Sequence, residues 1–137
     1  MNKKLLFLLF ILLIVYFLGK TTYWYVKADY NNLFFNISNL TSWYNNDSVP
    51  TPIAVEVYLD NELFYKNDSL ITPYTFLKKR VSLGSHRLNL LIDSCVYKEF
   101  DLYVFPMRWI TIEYARKSNE DTPHLLITKD ISPPRLE

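Results

Sequence analysis

Apolar and polar positions follow two different rhythms along this chain, and the change comes near residue 27. Leu5 to Leu18 is an unbroken run of fourteen apolar residues, preceded directly by Lys3 and Lys4. A helix with no polar face is rarely a core helix in so small a chain. Beyond it the period falls to two. Leu33, Phe35 and Ile37 alternate with Phe34, Asn36 and Ser38, and Ile53, Val55, Val57 and Leu59 alternate with Ala54, Glu56 and Tyr58. Such alternation marks half-buried strands.

The same rhythm continues to the C-terminus. Asp60-Asn61 separates the second run from Glu62 to Lys66; both residue types tolerate positive φ, so the pair predicts a hairpin with a primed turn. Asn67 to Pro73 reads as a polar connection. Tyr74 to Leu83 is extended, Gly84-Ser85 reads as a turn, and His86, Leu88, Leu90 and Ile92 line one face of a returning strand. This predicts a second hairpin with Gly84 at positive φ. Val96, Phe100, Leu102 and Val104 then point inward, opposite Tyr97, Glu99, Asp101 and Tyr103. Pro106 interrupts, and Ile110, Ile112 and Tyr114 resume opposite Trp109, Thr111 and Glu113. A short strand from His124 to Lys129 closes the series, and Pro133-Pro134 bars sheet pairing in the tail. Thr41 to Pro52 and Lys117 to Pro123 remain as long loops.

Seven or eight short strands, with no helical period outside the first segment, predict an all-β fold. The expected form is an antiparallel, immunoglobulin-like sandwich preceded by one N-terminal transmembrane helix. Its expected division is an anchor or signal over 1–27, a sandwich domain over 28–131 and a Pro-containing tail over 132–137.

Fourteen helical residues cover about 21 Å, short of a hydrocarbon core about 30 Å thick. Continued through Gly19 and Lys20 to Val26, the helix reaches about 33 Å, with Lys20 snorkelling and Tyr23, Trp24 and Tyr25 at headgroup level. A cleaved signal peptide is the competing reading, since a basic start and a short apolar core fit it too. The positions that would frame a cut, Phe17 with Gly19 or Val26 with Ala28, fit poorly or lie far downstream. Lys3 and Lys4 hold the N-terminus in the cytoplasm. The expected placement is therefore single-pass in the inner, cytoplasmic membrane with the domain periplasmic, or secreted if the run is cleaved.

Composition narrows the function classes. Of 15 basic residues, Lys3, Lys4 and Lys20 belong to the tether, leaving 12 against 14 acidic ones, a net of −2. That balance offers no footprint for nucleic acid. The basic triplet Lys78-Lys79-Arg80 reads as a solvated strand edge. Cys95 is the sole cysteine, so no internal disulfide forms and stability comes from burial. Gly84 is the domain's one glycine, which leaves the tight turns to Asn and Asp and excludes a phosphate-cradling loop. Heavy use of Asn, Lys, Tyr and Ile fits a low-GC, bacterial gene. Sequons at Asn36, Asn39, Asn46 and Asn67 matter only in a eukaryotic source.

Candidate chemistry is sparse. His86 and His124 lack metal-ligand spacing with each other or with Cys95. Asp60 with Glu62, and Glu99 with Asp101, read as solvated turn and strand carboxylates. Neither a catalytic, a metal nor a cofactor-binding residue is assigned, no cofactor is expected, and the chain reads as no enzyme.

The stretch VEVYLDNELF (Val55 to Phe64), followed by VSLGSHRLNLLI (Val81 to Ile92), resembles small bacterial immunoglobulin-like domains of the PEGA and carboxypeptidase-regulatory type. In those a strand, a turn and a strand precede an L-x-G-x-H entry into alternating aliphatics. Here the glycine follows Leu83 directly, and Asn61 stands where such domains often carry glycine. The resemblance implies a bacterial envelope sandwich without catalytic residues.

Two roles remain. One is a structural or docking module that meets a protein partner of the cell envelope, using outward Tyr97, Tyr103 and Trp109. The other is a glycan or small-ligand module with Trp43 and Tyr44 as stacking platforms.

Overall fold

The computed structural model describes residues 3–47, 49–71, 73–94, 96–117 and 122–131. Cys95, most of the loop expected over 117–123, and the tail over 132–137 lie outside the described residues.

The apolar run forms a single helix, α1 (Lys3–Lys27), that continues without a break through Gly19 and the Tyr23-Trp24-Tyr25 triplet. Its 25 residues extend about 37 Å, and none is fully buried. By length and composition α1 can cross a membrane, a test that a signal sequence also passes. The helix is closed by Asp29 and Tyr30 at φ 53° and 61°, which turn the chain so that Tyr30 N–H donates to the carbonyl of Tyr25 at 2.9 Å.

Eight strands follow among the described residues: β1 (Leu33–Asn39), β2 (Ile53–Leu59), β3 (Glu62–Leu70), β4 (Thr75–Lys79), β5 (Gly84–Ile92), β6 (Val96–Val104), β7 (Arg108–Ala115) and β8 (His124–Asp130). They make two four-stranded sheets, ordered β4-β1-β7-β8 and β3-β2-β5-β6. All the pairs are antiparallel except β1 with β7, which run parallel with Phe35 opposite Ile110. The predicted sandwich is present. In constant-type immunoglobulin domains the first two strands share a sheet; here β1 and β2 lie in opposite sheets.

The core fills the space between the sheets. Leu33, Phe35 and Ile37 from β1 and Ile110, Ile112 and Tyr114 from β7 meet Val55 and Val57 from β2 and Leu88, Leu90 and Ile92 from β5, all essentially inaccessible. These are the inward positions the alternation assigns. A one-residue slip would carry each of them to the solvent face, so burial also fixes the register.

Three expectations need correction. Tyr74 to Leu83 does not form a hairpin with the strand after Gly84: β4 pairs with β1, while β5 pairs with β2 and β6. The chain instead crosses from one sheet to the other over residues 80–83, and Gly84, at φ 129°, opens β5. Next, the polar stretch after Lys66 stays in strand, since β3 runs to Leu70 and pairs it with Ile53. Last, the loop expected from Thr41 begins as one helical turn, α2 (Thr41–Asn45), closed by Asn46 in the left-handed region. The Asp60-Asn61 hairpin is as predicted, with both residues at positive φ, 52° and 68°.

Two buried asparagines lock the ends of β1. Asn32 donates from Nδ2 to the Val81 carbonyl at 3.0 Å and accepts the Val81 N–H at 2.8 Å; its own backbone joins Lys79 and Arg108. Asn39 donates to the carbonyls of Thr51 and Leu70, both at 2.8 Å, and accepts the Thr41 N–H at 3.1 Å. Each side chain thus ties β1 to backbone groups of neighbouring segments.

The register sorts the connections between two ends. Residues 28–32, 60–61, 80–83 and 105–107 lie at the end that faces α1, while α2 and the described residues 71, 73–74, 93–94, 116–117 and 122–123 lie at the other.

Candidate functional site

At the end remote from α1, the first residues of α2 and the segment between β3 and β4 enclose a cleft of about 510 Å³. Its apolar wall is Leu40, Trp43, Pro50, Ile71, Pro73 and Tyr74. Trp43 is 71% exposed, Tyr74 66% and Ile71 50%, and Val49 stands exposed beside Pro50. Local sequence explains why these side chains stay out of the core. One turn of helix lifts Trp43 off the sandwich, and Pro50, Pro52 and Pro73 keep the flanking backbone out of both sheets.

Two of the polar side chains at the cleft, Asn39 and Ser42, are already engaged. Asn39 makes the three bonds described above, and Ser42 Oγ accepts the Thr51 N–H at 2.7 Å. The site offers apolar area with its side-chain hydrogen bonding turned inward.

Trp43 and Tyr44, paired in the sequence as one platform, separate in the structure. Their rings meet edge to face, 4.8 Å between centroids and 79° between planes. Tyr44 turns away from the cleft, with Lys117 Nζ 5.2 Å above its ring and His124 6.3 Å away. Only Trp43 reaches the cleft.

The other three aromatics occupy different surfaces. Tyr97 and Tyr103 lie exposed at opposite ends of β6, on the outer face of its sheet, paired with Leu91 and Ser85. Tyr97 donates to Glu99 at 2.9 Å. Trp109 points outward from the other sheet but is half-covered: it stacks on Phe34 at 4.2 Å and on Phe76 at 5.7 Å. Its Nε1 is shielded and has no acceptor among the described residues. Tyr97, Tyr103 and Trp109 therefore do not converge.

Sequence reading missed Ile71 and Pro73 because the segment looked like a polar connection, and Tyr74 because it read as the start of an extended run. The usable signal was Ile71 two residues before a proline, an apolar residue with no strand face to occupy.

The titratable groups form pairs. His86, buried on β5, places Nδ1 2.7 Å from Asp60 Oδ2 and Nε2 2.8 Å from the Ser82 carbonyl. Burial pushes the imidazole down, but the Asp60 hydrogen bond, the Ser82 carbonyl and the Asp60 charge together outweigh it and hold the pKa above its ordinary value. Asp60 is held below the usual carboxylate range by the hydrogen bond with His86 and then by the Arg87 N–H, which it accepts at 2.9 Å. Arg87 sits 3.3 Å from Glu99 and 3.4 Å from Asp101, so those carboxylates balance one cation. Glu56 bonds Lys66 at 2.8 Å and Tyr58 at 2.7 Å, and both hydrogen bonds lower its pKa. Among the described residues no three His, Cys, Asp or Glu side chains gather as a metal site would need.

No protein family, no curated protein and no solved structure matches this chain. Geometry alone carries the functional reading.

Proposed function

We propose that this chain is a non-catalytic sandwich domain held at the bacterial inner membrane by α1, with its C-terminal domain periplasmic, and that it docks a protein partner of the envelope. The observation that carries this is the cleft remote from α1: Trp43, Ile71 and Tyr74 are exposed together around a concavity whose asparagine and serine are bonded internally. Clustered apolar side chains of this kind, with an aromatic anchor at the centre, are what protein interfaces bury. A tether at one end presents the other end to the periplasm. The likeness of residues 55–92 to PEGA-type domains agrees with a non-catalytic envelope role.

A photo-crosslinking residue in place of Tyr74 tests the reading in intact cells. A discrete adduct of one higher mass that disappears with Trp43→Ala supports it, and recovery of monomer alone ends it. The glycan reading draws on the same exposed Trp43. Sugar recognition, however, needs polar side chains around the ring, and Asn39 and Ser42 at the cleft are engaged. Saturable quenching of Trp43 fluorescence by envelope glycan would reverse the ranking. Whether α1 is retained is read from the mature N-terminus, which for the tethered form begins upstream of Leu5.

A further inference from the structure

The end of the sandwich that faces α1 has a character the docking reading leaves unused. Tyr16, Phe17, Lys20 and Trp24 of α1 look across a cleft of about 300 Å³ at Phe105, Pro106 and Ile131. Phe105 is 56% exposed, Ile131 62%, and Leu83, in the crossover that precedes β5, 59%. These are loop-tip side chains with no core to fill, gathered where the chain leaves its helix.

Their height relative to a bilayer is set by α1. Leu5 to Trp24 spans about 30 Å, the thickness of a hydrocarbon core, which puts Tyr23, Trp24 and Tyr25 at headgroup level. Tyr16 and Phe17 then lie below that level, and Phe105 faces them. No slack separates helix from sandwich: the N–H groups of Ala28, Asp29, Tyr30, Asn31 and Asn32 donate to Trp24, Val26, Tyr25, Ala28 and Lys79 in turn. Asn32 further clamps the exit onto Val81.

Charge at this end favours an anionic surface. Arg80 follows β4 here and is exposed, Lys27 ends α1 with its ammonium over the rings of Trp24 and Tyr23, and Lys20 borders the cleft; Lys79 is turned inward, its ammonium 5.2 Å over the Phe64 ring. Of the acids at this end, Asp29 is paired with Lys78 at 2.6 Å and Asp60 with His86 at 2.7 Å; Glu62 and Asp130 are the others. Apolar tips ringed by cations match the interfacial layer of a bilayer with acidic headgroups, where the first group enters the acyl boundary and the second meets phosphate.

We infer that the α1-facing end of the sandwich is a lipid-contacting surface, with Leu83 and Phe105 entering the interfacial layer while Arg80 engages anionic headgroups. The domain then rides on the bilayer and does not stand clear of it. This rests on α1 being retained as a span, which the intact mass of the reconstituted chain reports separately.

The test uses the full chain, with Cys95→Ser, in nanodiscs of phosphatidylcholine with or without phosphatidylglycerol. A nitroxide is placed by Leu83→Cys or by Phe105→Cys, each leaving the other apolar tip intact, with Ile71→Cys as the remote control. Power-saturation spectroscopy compares collisions with oxygen, which concentrates in lipid, and with a water-soluble nickel chelate. In discs containing phosphatidylglycerol, labels at 83 and 105 are expected to favour oxygen and the label at 71 to favour nickel. The change Arg80→Gln is expected to lower the docked-to-undocked ratio about fivefold. Nickel access at 83 and 105 equal to that at 71 overturns the proposal, as does protection from both reagents, which would mean a protein cover. Equal depth in pure phosphatidylcholine, unchanged by Arg80→Gln, overturns the headgroup contact.

Discussion

His86 is held between two acceptors: Asp60 Oδ2 lies 2.7 Å from its Nδ1 and the carbonyl of Ser82 2.8 Å from its Nε2. A neutral ring has one N–H and can satisfy only one of them. The geometry therefore favours imidazolium, which fastens the β2–β3 turn to β5 and to the crossover from β4.

Stability should depend on pH in two directions. The raised His86 pKa contributes stability that is whole below its ordinary 6.5 and fades as pH rises through the folded value. The lowered Asp60 pKa contributes stability present above its ordinary 3.8 and lost as pH falls through the folded value. The pair's contribution is thus greatest between those two values. Asp60→Asn should cost about 1 kcal/mol near pH 6, a small figure because the carboxylate is half-exposed, and should flatten the alkaline decline. Denaturation midpoints at several pH values check this, and an unchanged slope would count against it.

Asn39→Ala should be more harmful than its single polar side chain implies. It leaves the Thr51 and Leu70 carbonyls without their donor and the Thr41 N–H without its acceptor. A loss of about 2–3 kcal/mol is expected from buried groups left unpaired, read as a drop in thermal midpoint. Asn36→Ala, on the same strand but half-exposed, serves as the comparison and should change little.

Gly84→Ala tests backbone conformation apart from crowding. Nothing lies within 4 Å of a Cβ built there, yet φ is 129°. The expected cost of about 1–2 kcal/mol comes wholly from the dihedral. A neutral result would mean that β5 can open with a different backbone.

Trp43→Ala and Tyr74→Ala should separate binding from folding. Both side chains are well exposed, so each change should alter stability by no more than about 0.5 kcal/mol. Partner capture should nonetheless fall by tenfold or more, as for a central aromatic contact worth about 2 kcal/mol. Capture unchanged in both variants would move the docking surface elsewhere.

Much of the sandwich could be read from alternation because its central strands bury one face completely. Val55 and Val57, Leu88 to Ile92, and Ile110 to Tyr114 all point where the period places them. Edge strands are harder, since β3 carries Lys66, Asn67, Asp68 and Ser69 with one side largely in solvent, and so it reads as loop. The crossover after β4 was hidden for another reason. Its partner is β1, far upstream, and nothing local to Gly84-Ser85 says which sheet the next strand joins. Asn32 and Asn39 escaped notice because their roles depend on which carbonyls the fold brings near them. Trp43 was visible as an odd aromatic in a polar stretch, whereas its cleft needed Ile71 and Tyr74 from a different connection.

The parallel pairing of β1 with β7 sets an order of assembly. The β2–β3 hairpin and the β5–β6 hairpin join neighbours in the chain, so one sheet can gather from segments as they emerge. β1 leaves the helix first but sits between β4 and β7, and its parallel partner does not begin until Arg108. Until then Phe35 and Ile37 have only half of their sheet. A chain cut before Ala115 would leave that apolar strand edge open, a ready template for pairing with another chain.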